Sequence, residues 1–343
     1  MHSDLSRLSR WLAVLAAPVA LLIVLYLVLD PFQVIRTGVE PEVRHGIAPN
    51  REMMNTQMLL RRPDAARYDA FIFGNSRSLA YQCRDWLQWI APANPFHYDA
   101  LGETLLGLRG KLRLLERQGM HVRQALLIVD PVLLSATDDP GNIVTIKHPA
   151  VSEGSRIRFQ AVFLRAFFSD LFVIKYLDYR LFGTFRPYMR GVISSIPAGA
   201  YGWDPQTNDV QSIGPEKEIA VQPDQYFANL GRGTDRTPRD EPPVIGARQL
   251  EMLREVRASL NRQRTNYQIV VSPDFARARL NPADVLILHR LFGAERVHDF
   301  SRDPDLGLDI RDWYDTSHYR PTVALEVMRR VYAGRTGSAD VIR

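Results

Sequence analysis

Two short segments hold residue types at spacings that suit acyl chemistry. The first is Phe73-Gly74-Asn75-Ser76-Arg77-Ser78, which follows the apolar run Asp69–Phe73. A strand that enters a glycine turn and then a serine opening a helix sets that hydroxyl at the rim of a sheet. The helix amino terminus there offers unpaired N–H groups and a positive dipole end, which favour a nucleophile whose product carries an oxyanion. The competing reading is a polar turn in which Asn75 and Ser76 cap the next helix. The second segment is Trp313-Tyr314-Asp315-Thr316-Ser317-His318-Tyr319-Arg320-Pro321. Asp and His three residues apart lie on one side of a tight turn. The carboxylate can then fix the imidazole tautomer and leave the other ring nitrogen facing a hydroxyl. Standing alone, Asp-x-x-His is more often a surface turn.

The elements that would position these groups can be read from periodicity. Asp69–Phe73, Ala125–Val129, Tyr267–Val271 and Arg296–Phe300 are short apolar runs closed by turn residues, and they predict buried strands. Leu79–Ile90, Glu103–Gln118, Ala247–Arg264, Pro282–Phe292 and Pro321–Tyr332 carry helical spacing. Gly119 is a stop, Asn281 a cap, and Pro282 and Pro321 occupy first-turn positions. Strands alternating with helices predict an α/β fold with a parallel sheet covered on both faces, whose ligands bind at the carboxyl ends of the strands. The pattern breaks between about 135 and 245, which reads as an insertion or subdomain with short elements of its own. Within it, Phe159–Phe182 reads as one helix, with Phe163, Phe167, Leu171 and Ile174 at helical spacing and Arg165, Asp170, Lys175 and Asp178 interrupting it. That helix is either part of the core or lies on a membrane or a membrane partner.

The combination of a strand-Gly-x-Ser turn early in an α/β domain and Asp-x-x-His just before its last helix resembles the SGNH (GDSL-like) hydrolase family. The resemblance covers roughly 68–331, the insertion excepted. It implies a flavodoxin-like three-layer parallel sheet, with Ser76 as nucleophile, His318 as base and Asp315 as the orienting acid. Tyr98-Asp99-Ala100-Leu101-Gly102 falls where the family's second block lies, so the Gly102 N–H is the implied oxyanion donor beside that of Ser76. The family's Gly-Asp-Ser has Asn75 at its middle position here, and Asn75 is a further candidate donor. The third-block Asn has no counterpart, because Val129-Asp130-Pro131 stands at that strand end and an ionised carboxylate donates no hydrogen bond.

Trp11–Leu29 is a 19-residue run without a charge. At about 1.5 Å per residue it reaches about 28 Å, close to a hydrocarbon core, and no small-x-small cleavage site follows it. The expected organisation is a cytoplasmic tail (1–10), a transmembrane anchor in the lipid bilayer (11–29), and a stalk with a lead-in helix (30–62). An SGNH-like domain (63–335) and a tail (336–343) follow. Lys/Arg density is slightly higher on the amino side of the run, which leans toward an external domain. Anchor and domain together are similar to alginate O-acetylation proteins and the D-alanyl-transfer protein of teichoic acid modification. That likeness implies a bacterial inner membrane, a domain facing the periplasm or outside, and a membrane-bound O-acyltransferase-type partner.

Composition removes other classes. The formal net charge of +5 comes from dispersed Arg, with no basic stripe interleaved with aromatics, so nucleic acid is not expected as a partner. A single cysteine, Cys83, excludes an internal disulfide and a multi-thiolate zinc site. His45, His97, His121, His148, His289 and His298 show no metal-ligand spacing and read as ordinary surface or core residues. There is no Gly-x-Ser-x-Gly elbow and no phosphate-loop or dinucleotide fingerprint. No cofactor or metal is expected. The reading is an extracytoplasmic serine esterase or O-acyltransferase acting on acyl esters of a cell-surface or exported glycan. Its alternative is an inactive SGNH-fold scaffold or binding subunit of a polysaccharide-modification complex.

Overall fold

The computed structural model describes residues 2–36, 46–196 and 199–333, with the side chains of 2–10 and 12–15 outside that description. Five strands make the central sheet: β1 (Ala70–Phe73), β2 (Pro95–His97), β3 (Gln124–Val129), β4 (Asn266–Val271) and β5 (Val297–Asp299). Their order is β2-β1-β3-β4-β5, with every neighbouring pair parallel. Parallel strands covered on both faces are expected to be continuously apolar, and Ala125–Val129 and Tyr267–Val271 are buried at every position.

Two side-chain layers follow from strand alternation. Phe71, Phe73, Leu127 and Ile269 point to one face and pack against α4 (Leu105–Arg117), α8 (Ala247–Arg262) and α9 (Pro282–Phe292). Ala70, Ile72, Leu126, Ile128 and Val270 point to the other and meet α3 (Cys83–Ile90) and α10 (Pro321–Tyr332). The chain is therefore an α/β domain with helices on both sides of the sheet. The helix starts are chemically marked. The Thr104 hydroxyl accepts from Gly107 N–H at 3.0 Å, and the Asn281 side chain accepts from Ala283 N–H at 2.9 Å.

Further long helices lie in the amino-terminal part of the chain and in the region expected to be an insertion: α1 (His2–Leu29), α2 (Arg51–Arg61), α5 (Arg156–Phe167), α6 (Phe172–Phe182) and α7 (Ile213–Val221). A third apolar cluster joins the end of α1 to the insertion. It contains Tyr26, Phe32 and Val34 together with Phe159, Phe163, Phe167, Phe172 and Tyr176.

Several expectations are corrected. The single helix expected over Phe159–Phe182 is a hairpin, because Asp170 and Leu171 take left-handed backbone angles (φ 50° and 54°) and split it into α5 and α6. The helix expected over Leu79–Ile90 is a 3₁₀ turn, Ser76–Ala80, followed by α3. Strand β2 carries no sequence signal: it is three residues long and begins with proline, and only its pairing with β1 defines it. The start of the expected stalk is folded, since the Asp30 carboxylate accepts from the N–H groups of Val34, Ile35 and Arg36 at 2.7–3.2 Å. The rest of the stalk, 37–45, and the tail at 336–343 lie outside the described residues.

The expected 11–29 anchor falls within α1, and part of it lies outside the described side chains. Among the described residues, no helix is long and apolar enough to cross a membrane.

Candidate active site

Ser76 sits where β1 ends and the 3₁₀ turn begins. Gly74 is required there. A Cβ at that position would lie 2.8 Å from Ser78 Cβ and 2.9 Å from the Ile128 carbonyl oxygen, so any side chain would push the turn off β3. Asn75 shapes the turn with both ends of its amide. Its Oδ1 accepts from Arg77 N–H at 3.0 Å, and its Nδ2 donates to Asp130 Oδ2 at 2.6 Å. One amide hydrogen of Asn75 is left for another acceptor. Asp130, at the end of β3, also accepts from Leu133 N–H at 2.8 Å. Asp130 thus holds the Ser76 turn in place.

The loop after β5 brings Asp315 and His318 to the same sheet edge, with His318 242 residues along the chain from Ser76. His318 Nε2 lies 2.8 Å from Ser76 Oγ, and His318 Nδ1 lies 2.8 Å from Asp315 Oδ2. Asp315 Oδ1 also accepts from the N–H groups of Ser317 (2.7 Å) and His318 (2.9 Å). Partial burial alone would raise the Asp315 carboxyl. The His318 ring and these two amides outweigh it and hold the group below the usual carboxylate range. An ionised Asp315 accepting from Nδ1–H leaves Nε2 unprotonated and facing the serine hydroxyl.

Gly102 lies in a turn beside the site, in a left-handed conformation (φ +57°), and Leu101 before it lines the same cavity as Ser76. Among the described residues, neither the Ser76 nor the Gly102 N–H is engaged by another protein group. The Gly102 turn rests on a buried ionic cluster. Lys111 Nζ donates to the carbonyls of Tyr98 (3.0 Å) and Asp99 (2.9 Å) and pairs with Glu103 at 2.5 Å and Glu52 at 3.1 Å. Lys147 meets Glu103 at 2.7 Å, and Arg51 meets Asp99 at 2.5 Å. Burial pushes the Glu103 carboxyl upward, but the two lysines win and hold it low.

Ser76, Asp315 and His318 open into a cavity of about 380 Å³. Leu79, Leu101 and Val210 form apolar walls, and Tyr201, Trp203 and Tyr226 bring aromatic ones. Four of these six residues lie between 201 and 226, within the stretch expected to be an insertion, which therefore lines the cavity. The same stretch also braces the loop that carries Asp315 and His318. Glu216 of α7 accepts from the Tyr314 hydroxyl at 2.6 Å and pairs with Arg320 at 2.6 Å, while the Tyr226 hydroxyl donates to the Tyr314 carbonyl at 2.9 Å. Glu216, too, is partly buried, which would raise it, yet Arg320 and Tyr314 hold it below its ordinary value.

A further brace lies behind Ser76. The His97 ring spans Ser78 Oγ and Asp209 Oδ1, each at 3.1 Å, and all three side chains are buried. Ser78 Oγ also donates to the Asn75 carbonyl at 2.7 Å. This Ser-His-Asp chain is sealed from solvent, so it holds the turn and does not meet substrate. Cys83 is fully buried in the same region, and burial pushes its thiol well up, which leaves it unreactive. Among the described residues no cluster of His, Cys, Asp or Glu has the arrangement of a metal site. Neither a protein-family model nor a curated protein matches this chain.

Proposed function

We propose that this chain is an SGNH-type serine esterase or O-acyltransferase, anchored in a bacterial inner membrane and acting outside the cytoplasm on acyl esters of a cell-surface or exported glycan. The observation that carries the reading is the unbroken set of short contacts Ser76–His318–Asp315 at the floor of a cavity. The topology supports it. Order 2-1-3-4-5 is that of flavodoxin-like sheets, and the three side chains gather at the carboxyl ends of strands. Aromatic walls beside the serine suit the apolar faces of sugar rings. The uncharged run 11–29 supports the anchor.

Ser76 Oγ attacks the ester carbonyl carbon as its proton passes to His318 Nε2, and Asp315 stabilises the imidazolium. The Ser76 and Gly102 N–H groups face the new oxyanion, with the spare Asn75 N–H as a third donor. When the tetrahedral species collapses, the C–O bond to the leaving alkoxide breaks, and that alkoxide takes the proton from His318. The acyl-Ser76 ester is then attacked by water or by a sugar hydroxyl, whose proton His318 accepts before returning it to Ser76. A membrane-bound O-acyltransferase-type partner would supply the acyl group in the transfer version.

The test is to trap the intermediate. Full-length protein is incubated with an activated acetyl ester, quenched in acid, and mapped by mass spectrometry. One acetyl group on Ser76, absent from His318→Ala and displaced faster by an oligosaccharide than by water, supports transfer. Displacement by water alone supports an esterase. A folded protein with no acetyl on Ser76 counts against both and favours a non-catalytic subunit.

A further inference from the structure

Away from α1 and the insertion, the exposed large apolar side chains among the described residues stand singly, as at Val132, Leu286 and Leu325. The α5–α6 hairpin is different. Helix α6 buries Phe172 and Tyr176 in the third cluster, yet it and the turn before it leave Leu171, Ile174, Leu181 and Phe182 at 59–75% exposure. Phe168, also in that turn, is exposed as well. Three charges interrupt this face: Asp178 is half-buried and paired with Arg186 at 3.1 Å, Asp170 in the turn is exposed and paired with Lys175 at 2.9 Å, and Arg180 is exposed. A helix that is apolar on both its buried and its outer face is not finished by water.

The position of this face says what finishes it. The hairpin is fastened to the end of α1: the Tyr26 ring lies 5.2 Å from Phe167, and Phe32 lies 5.5 Å from Phe163 and 4.8 Å from Phe172. Val19, Leu21, Val24, Leu27 and Val28 of α1 are exposed in turn, so the helix to which the hairpin is fastened carries an open apolar surface of its own. The segment 156–190 carries seven Lys/Arg against two Asp, the balance that anionic headgroups attract.

We propose that the outer face of α6 and the α5–α6 turn lies in the headgroup–acyl boundary of an anionic bilayer, as a second membrane contact beside α1. The proposal rests on the reading of 11–29 as an anchor. It fixes the orientation of the whole domain, because an anchor alone allows swivelling and two contacts do not. It also sets the cavity near the lipid surface: Ile47 and Ile193 of the third cluster lead directly to Ala48, Pro49 and Ile196 of the cavity wall.

The experiment uses full-length protein in phosphatidylcholine–phosphatidylglycerol vesicles that contain a doxyl-lipid quencher. An environment-sensitive fluorophore is attached singly at Leu171→Cys, Leu181→Cys, Val132→Cys and Val19→Cys, with the buried Cys83 left in place. We expect quenching at 171, 181 and 19 and none at 132. Quenching at 19 but not at 171 or 181 overturns the hairpin contact while leaving the anchor intact. Absence at all four positions overturns the anchor and, with it, this proposal. Unquenched 171 and 181 in variants that instead form Leu171→Cys disulfide-linked dimers would assign the face to a second copy of the chain.

Discussion

At Ser76 the chemistry asks for a base within hydrogen-bond reach, a group that fixes that base, and N–H donors for the oxyanion. His318 at 2.8 Å and Asp315 behind it meet the first two demands. Replacing Asp315 by Asn removes the acceptor that selects the tautomer. We expect turnover to fall by about 10⁴-fold with the fold unchanged, measured as acyl-ester hydrolysis alongside circular dichroism. Asp315 is held below the usual carboxylate range, so its charge and the stability it contributes are present above that range and are lost only as pH falls through its lowered value. These residues were legible because each pair of partners is local or sits at a strand end with a recognisable turn. Ser78, His97 and Asp209 were not: the His97–Asp209 contact joins residues 112 apart in sequence, and a buried histidine has no local signature. Asp130 was legible only as a missing Asn, and its hold on Asn75 appears when β1 and β3 are set side by side.

At the scale of elements, α7 is the piece that steadies the Asp315–His318 loop, through Glu216 on Tyr314 and Arg320. Glu216→Gln keeps the shape but weakens the charge-assisted bonds to Arg320. We expect a lower kcat with KM nearly unchanged and a melting temperature close to that of the parent, checked by steady-state kinetics and thermal denaturation. Because Glu216 sits below its ordinary value, the brace is complete above the normal carboxylate range and loosens as pH drops through the lowered one. A defect confined to melting temperature, with kcat intact, would make Glu216 merely structural. Helices with caps and proline starts, such as Pro282–Phe292, were read from the sequence to the residue. The split between α5 and α6 was not, since two non-glycine residues in left-handed conformation leave no mark in composition.

For the whole molecule, the buried ions show how the sheet edge is held. Lys111, Glu52 and Glu103 are almost wholly removed from solvent, with side-chain exposures of 0–1%. Lys111→Met strands buried carboxylates and two carbonyl oxygens, and we expect about 3–5 kcal/mol of destabilisation in urea unfolding. A near-neutral change would mean that the carboxylates simply take up protons. Hydropathy pattern pointed to the α/β class and the parallel sheet that the structure has. It did not show that the insertion walls the cavity, because that depends on Tyr201, Trp203 and Tyr226 returning over a distant sheet edge. The third cluster also ties α1 to the domain, so the protein should be studied with residues 1–36 in place.

The most direct test of the central claim, an activated serine at position 76, is labelling of the full-length protein by a fluorophosphonate. Wild type, Ser76→Ala and His318→Ala are compared after each is shown to be folded. The triad geometry requires wild type to label at Ser76 and both variants to stay unlabelled. Equal labelling of wild type and Ser76→Ala, or a folded wild type that does not label, would contradict it.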